Sequence, residues 1–466
     1  MDLIRVCVDF INGILWDYVL LVGLVGVGVF LSVKLKFPQV FRMFPALSQI
    51  VRDIKNKVKV PAGRMTPFQS LSTAIAAQVG TGNIVGVSTA IAAGGPGAAF
   101  WMLLSAFFGM GTIFTEAVLA QIFRETKNGE LVGGPAYYIK NGLKAKWLSN
   151  IFAVLCIVAL GIVGIMVQSN SIAGSMEEAF GFPKVWITVG LLAVVGAILT
   201  GGMGRIAKFT EKVVPVMAFL YIFGSIAIMI LNAGNFLPAL KAIITGAFNP
   251  SAIGGGVLGI TVQQAIRYGL SRGLFSNEAG MGSTPHSHAV ASTNHPAEQG
   301  FIAMIGVFIS TFLICLSTVM VNITSGAYDM SIPAAMMSQS HVAMTQVSFS
   351  LSFGSFGAGF LSIALTFFAL TTIVGWYFFA ESNVKFLAGQ NKIIIASFKF
   401  IVLGFIVFAM NMNTQFVWKL ADLFMGLMAL PNIISLVLLS KKAKSVLDDY
   451  DACKKKGSIS WNYEYE

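Results

Sequence analysis

Apolar residues run through this chain in blocks of about twenty, separated by short polar or charged joints. At about 1.5 Å of rise per residue, a helical block of that length crosses the hydrocarbon core of a bilayer. Eleven spans fall near 14–35, 69–94, 97–123, 149–173, 183–202, 210–232, 252–283, 300–325, 352–382, 393–411 and 414–440. The pattern predicts an all-α membrane protein of about 11 transmembrane helices. Composition agrees, with 56% of the 466 residues hydrophobic and 11% charged, which excludes an ordinary soluble enzyme. The first block, Ile14 to Leu35, follows an acidic start and is long enough to span, unlike a cleavable leader.

Two blocks are not plain anchors. Within the run from Leu71 to Ala93, the stretch Gln78-Val79-Gly80-Thr81-Gly82-Asn83-Ile84-Val85-Gly86 carries three glycines and three polar side chains. Glycine weakens a helix, and backbone groups freed inside a membrane must find protein, water or a ligand. One reading is a broken helix whose unwound backbone binds a cation and a small anion. The other is a glycine seam for close helix packing. A second block tips the balance. It spans about 252–283, opens with Gly254-Gly255-Gly256, holds Gln263 and Gln264, and is disrupted by Arg267-Tyr268-Gly269-Leu270-Ser271-Arg272-Gly273.

After the first span, these interrupted blocks open successive groups of five, spans 2–6 and 7–11. Five is odd, so the second group enters from the opposite side, giving a 5+5 inverted repeat with its site at the midplane. The implied organisation is an extra N-terminal helix (14–35), a cytoplasmic basic loop (36–68), a first repeat (69–233), a second repeat (252–440) and a tail (441–466). Of the 31 Lys and Arg, 27 fall on segments sharing one side, which makes that side cytoplasmic and puts the N-terminus outside and the C-terminus inside. The net charge of +11 is thus a topology signal and a contact for anionic lipid, not a nucleic-acid footprint.

Other polar positions carry open alternatives. The loop from Lys34 to Thr66 is either a short helix along the inner leaflet or a solvated loop. Leu131 to Tyr138, broken by Gly133-Gly134-Pro135, predicts a hairpin or amphipathic turn. Glu116, inside the third span, needs a polar partner. Gln168 and Asn170 face a cavity or cap the fourth span. In the ninth span Thr371 and Thr372 are adjacent hydroxyls. They either contribute oxygen ligands to a hard cation such as Na⁺ or bond back to the preceding turn. Trp376 lies one turn beyond Thr372, as a pocket wall or a packing residue. Lys419 and Asp422 are spaced to pair on one face, and the charged tail after Ser440 reads as frayed.

Metal or hydrolase chemistry finds little support. His286, His288, His295, Glu278 and Ser283 match no ligand or triad spacing, and Cys7, Cys156, Cys315 and Cys453 are scattered. Gly80-x-Gly82 follows no strand and is no dinucleotide fingerprint.

Gly273-Leu274-Phe275-Ser276-Asn277-Glu278-Ala279-Gly280-Met281-Gly282-Ser283, with Pro285 and His286 after it, resembles the signature of the alanine or glycine:cation symporter family. The resemblance covers essentially the whole chain, including Gly80-Thr81-Gly82-Asn83. It implies a leucine-transporter-type fold with spans 2–11 as core. It also implies a Na⁺ site from the carbonyls of Ala76 and Val79 and the hydroxyls of Thr371 and Thr372. Substrate contacts are then expected from Gln78, Thr81, Gly82, Asn83, Gln168, Gly269, Ser271, Thr372 and Trp376. The carboxylate would sit on the amides of Thr81 and Gly82, at a helix N-terminus. The expected activity is sodium-coupled uptake of alanine or glycine across a prokaryotic inner membrane by a monomer. A proton-coupled symporter and a channel are the alternatives. The first would want a carboxylate or histidine lining the site.

Overall fold

The computed structural model describes residues 2–55, 60–61, 63–248, 262–328 and 341–462. The helices are α1 (Leu3–Lys34), α2 (Met43–Lys55), α3 (Pro67–Gln78), α4 (Gly82–Gly94), α5 (Gly97–Ile122), α6 (Pro135–Gly142), α7 (Lys146–Phe180), α8 (Lys184–Leu199) and α9 (Gly202–Leu231). They continue with α10 (Phe236–Phe248), α11 (Val262–Asn277), α12 (Pro285–Ala289), α13 (Pro296–Thr324), α14 (His341–Ala388, kinked where Gly354 leaves the helical region), α15 (Lys392–Ala409) and α16 (Thr414–Lys455). Among the described residues, eight helices are long and apolar enough to cross a membrane, or nine if the bent pair α3 and α4 is one span. α8 is apolar but shorter, and α11 is the described part of the predicted seventh span. The Gly254–Gly256 opening of that span lies outside the described residues.

α5 is the central post, packed against α1, α11 and α13. Its contact with α11 is a close one. A Cβ on Gly269 would sit 2.3 Å from the Ala98 carbonyl oxygen. A hairpin of β1 (Glu125–Lys127) and β2 (Glu130–Val132) follows α5, but it turns at Asn128 and Gly129, earlier than the expected Gly-Gly-Pro break, which instead starts α6. Met65 bridges to Ala291 on the same face, and Thr66 begins α3 with a capping box to Gln69.

Charged residues fasten the two ends of the bundle, and several depart from expectation. Residues 441–455, expected to fray, are helical: α16 continues to Lys455 over the hairpin face. There Asp451 takes a two-pronged pair from Arg42, and Asp449 meets His295 Nε2 at 3.1 Å. Burial pushes the His295 ring below the usual histidine range, with Asp449 opposing the shift. At the opposite face Lys419 pairs with Asp9 at 2.8 Å rather than with Asp422. Asp422 instead binds Arg272 through both oxygens, each at 2.8 Å, and Arg267 reaches Asp17 at 2.6 Å.

Arg267 and Arg272 therefore lie on the face opposite the hairpin, because α11 enters from that end and its break comes later. Moving them leaves 25 of the 31 basic residues on the loaded side.

The Arg272 and Asp422 side chains are only 10% and 15% exposed, so removing one partner leaves a nearly buried charge. Asp422→Asn should destabilise the chain by about 3–5 kcal/mol, and Arg272→Leu with Asp422→Leu by less. Thermal unfolding in detergent checks this order; a double variant weaker than the single one would refute it.

Candidate functional site

α3 ends because Val79 leaves the helical region (φ −111°, ψ 86°), and α4 resumes at Gly82 with a bend of 51°. The first turn of α4, Gly82–Gly86, is wound as a π-helix. Ala159–Gly164 of α7 and Phe308–Cys315 of α13 are wound the same way. π-bulges of this kind gather at functional sites.

The second break lies later than the sequence suggested. α11 runs unbroken through Arg267–Gly273 to Asn277. Its polar residues need no unwinding, because Arg267 and Arg272 have acidic partners on α1 and α16. The chain unwinds over residues 278–284, where Glu278, Gly280 and Gly282 take φ of 57°, 92° and 80°. Gly269 and Ser271 thus fall outside the break. Gly269 serves the packing on α5, and the Ser271 hydroxyl donates to Tyr268 O at 3.4 Å within its own helix.

An oxygen cluster joins the first break to α14. The Thr372 hydroxyl donates to Ala76 O at 2.8 Å and lies 3.3 Å from Val79 O and 3.0 Å from Phe368 O. Ala76, Val79 and Thr372 are therefore brought together as expected. Thr371 is not: its hydroxyl donates to Phe368 O at 2.9 Å and faces Met217 Sδ at 3.5 Å. Adjacent helical residues point about 100° apart, so both hydroxyls cannot address the same break.

Gly80 makes the approach possible, since a Cβ there would sit 2.5 Å from Thr372 Oγ1 and 3.1 Å from Gln168 Oε1. Gln168 faces the break rather than capping α7, and its Oε1 accepts the Thr81 amide at 3.1 Å. Asn170 binds Ala409 O and Met412 O instead. Gln168 Nε2, Thr81 Oγ1 and Gln78 Oε1 are buried without partners, an uncommon state for polar atoms.

Gln78 and Asn83 are committed elsewhere than to the Thr81 and Gly82 amides. Gln78 Nε2 donates to Asn277 O at 2.7 Å, tying one break to the other. Asn83 Oδ1 accepts the Gly80 amide at 3.0 Å, and its Nδ2 reaches Ser276 Oγ and Ser310 Oγ at 2.7 and 3.0 Å. Trp376 is buried between the breaks and is no interface anchor. Its Nε1 donates to Glu278 Oε1 at 2.6 Å, and its ring meets Phe275 edge-on with centroids 6.1 Å apart. A Cβ on Gly164 would sit 2.6 Å from the indole, and one on Gly82 2.6 Å from Phe275.

Glu116 finds its partners in the second break. It accepts Gly280 N at 3.2 Å, Gly282 N at 3.0 Å and Asn432 Nδ2 at 2.6 Å. His286 is held by Ser283 O and Asn383 and stacks against Phe379. Among the described residues no group of three His, Cys, Asp or Glu is placed to hold a metal.

Sequence reasoning missed Phe275, Gly164, Ser276 and Ser310. Phe275 and Ser276 sit in the quoted signature. Gly164 and Ser310 lie on π-wound turns, which leave no mark in hydrophobic periodicity.

A polytopic helical protein with two interrupted spans facing each other has the architecture of a secondary transporter. The fold is shared with the crystal structure of MhsT in complex with L-phenylalanine, at a TM-score of 0.56 and 14% identity, over 84% of this chain and 99% of that one. It is the leucine-transporter-type fold. The sodium:alanine symporter family matches residues 1–463, and the chain belongs to that family. It is 40% identical to the probable sodium/glutamine symporter GlnT of Bacillus subtilis, covering 97% of this chain and 91% of the relative. It is 37% identical to the sodium/alanine symporter AgcS of Methanococcus maripaludis, covering 94% of this chain and 95% of the relative. The chain is thus a multi-pass membrane protein that carries out sodium-coupled amino-acid symport, and is not an enzyme.

Gly80→Ala should lower sodium-driven amino-acid uptake at least tenfold while the chain still inserts, because the methyl meets Thr372 Oγ1. Uptake normalised to surface expression measures it; wild-type uptake would show that the break does not need this contact.

Proposed function

We propose that this chain imports a small neutral amino acid, alanine or glycine, with Na⁺ by alternating access across a prokaryotic inner membrane. The reading includes eleven spans, spans 2–11 forming the 5+5 repeat, with the N-terminus outside and the C-terminus in the cytoplasm. The observation that carries it is the meeting of Thr372 Oγ1 with Ala76 O and Val79 O at 2.8 and 3.3 Å. A hydroxyl and two carbonyls make a neutral oxygen set suited to a hard cation. The cation would displace the hydroxyl proton from Ala76 O and take its place among these oxygens.

Beside the cluster, the Thr81 amide heads α4 and is occupied by Gln168 Oε1. A substrate carboxylate fits there by displacing the Gln168 oxygen, with the amide and helix dipole as its support. The unpartnered Gln168 Nε2 and Thr81 Oγ1 supply further donors. The Phe275 and Trp376 rings pack edge-on against each other and against Gly82 and Gly164, a setting that suits alanine or glycine better than glutamine. Moving one Na⁺ down 100 mV yields about 2.3 kcal/mol, roughly a fifty-fold accumulation.

Sodium titration of uptake tests the cation seat. Thr372→Ala should raise the half-saturating Na⁺ concentration about tenfold, matching the roughly 1–3 kcal/mol cost of losing a buried polar partner. Thr371→Ala should change it less than about twofold, since that hydroxyl faces Met217. Equal effects of the two substitutions would refute the seat.

The pocket wall is tested by competition of labelled alanine uptake with glycine, alanine, valine, leucine and glutamine. Trp376→Leu should let the larger residues compete while weakening alanine, by about 1–3 kcal/mol at most. An unaltered ranking would mean that the indole does not touch the side chain.

A further inference from the structure

Two buried carboxylates meet at the second break, Glu278 within it and Glu116 from α5, and their hydrogen bonds differ in kind. Glu116 accepts from three N–H groups, two of them backbone amides of the loop itself. An N–H cannot turn into an acceptor, so a proton added to Glu116 would face donors on every side. Glu278 accepts from one N–H and one hydroxyl. Trp376 Nε1 donates to its Oε1 at 2.6 Å, and the Ser283 hydroxyl donates to its Oε2. A hydroxyl can reverse its role: a protonated Oε2 would donate to Ser283 Oγ while Trp376 keeps its bond to Oε1.

The titratable groups around Glu278 are Glu116 from α5, Cys156 from α7 and, through Ser283, His286 from α12. None of its partners among the described residues is a lysine or arginine. An ionised carboxylate with only neutral donors is expensive in a membrane interior unless a cation is brought near. Loading supplies one, because sodium with a zwitterionic amino acid carries a net single positive charge.

We propose that Glu278 is a proton-binding site of the transport cycle, protonated in the unloaded carrier and ionised in the loaded one. A proton would then move against the sodium. On loading, the O–H bond at Oε2 breaks, its electron pair stays on the carboxylate, and the proton leaves to water at the open face. On unloading, a proton from water at the other face restores the bond. The inference rests on the sodium-coupled reading above, since sodium and the amino acid supply the compensating charge.

The test uses the full chain in proteoliposomes with a trapped pH dye, a clamped potential and an inward Na⁺ gradient, to which labelled alanine or glycine is added. The expected result is alkalinisation of the lumen in step with uptake. Uptake with no pH change, or with acidification, would overturn the proposal in the wild type alone. Glu278→Gln keeps an acceptor for Trp376 and a donor for Ser283. It should cut the pH change per amino acid moved at least fivefold, and an unchanged ratio would overturn the proposal. If that variant does not assemble, Ser283→Ala decides: it should shift the pH of half-maximal alkalinisation, and an identical profile counts against the proposal. Absence of sodium-driven uptake of both amino acids would instead overturn the reading on which the inference rests.

Discussion

Unwound backbone inside a membrane has no water to satisfy it, and this chain unwinds twice in the same place. The structure meets the demand by making each break a partner for the other. Gln78, the last residue of α3, donates to Asn277 O at 2.7 Å, the last residue of α11. Asn83, one residue into α4, caps the Gly80 amide with one end and grips Ser276 and Ser310 with the other. The Gly280 and Gly282 amides go to Glu116 on α5, and the carbonyls of Ala76 and Val79 to Thr372 on α14. A shift of one break strands donors or acceptors of the other, so the two tend to rearrange together.

That mutual dependence sets the character of the site. Its polar groups are mostly backbone, amides and hydroxyls, while the charged side chains lie at the edges of the second break or at the two faces. Neutral dipoles of this kind suit the proposed cation seat, because they would hold an ion without fixing it permanently, as a carrier that must release its cargo requires. Of the four π-wound turns among the described residues, those on α4, α7 and α13 loosen the helix ladder beside the breaks, and the fourth, Leu15–Val19, lies on α1.

Much of this was legible in the sequence, and what was not has a physical cause. Hydropathy blocks give the helical membrane class, with eight or nine described helices long and apolar enough to span, and three glycines with Gln78, Thr81 and Asn83 locate the first break within a residue or two. The second break was misplaced because Arg267 to Gly273 looks hostile to a membrane helix. Only long-range partners, Asp17 from α1 and Asp422 from α16, make those residues tolerable, and sequence periodicity contains no such pairing. Thr371 and Thr372 could not be told apart by composition. Their helical offset decides, and it depends on how α14 is rotated against α3. The helical order of residues 441–455 is likewise absent from the local sequence, since it comes from Arg42 and His295, 409 and 154 residues from their partners.

The closures on the two sides of the site differ in kind. Toward the face opposite the hairpin, Phe275 lies under Trp418, with centroids 4.9 Å apart, and the Arg272 guanidinium sits over the same indole at 5.4 Å. Arg272 and Phe275 share α11 while Trp418 and Asp422 share α16, so one separation of these helices opens both layers. Toward the hairpin face the closure is largely backbone. Met65 pairs with Ala291, and Gln121 and Arg124 bind the carbonyl oxygen of Ala291 at 3.0 and 2.8 Å. Opening there requires moving the segment after α12 away from the start of α3, that is, displacing the two broken spans relative to each other. A side-chain ion pair can separate while the breaks stay matched; a backbone bridge between the broken spans cannot. Opening toward the hairpin face is therefore the movement most directly tied to the oxygen cluster of Ala76, Val79 and Thr372, the proposed cation seat.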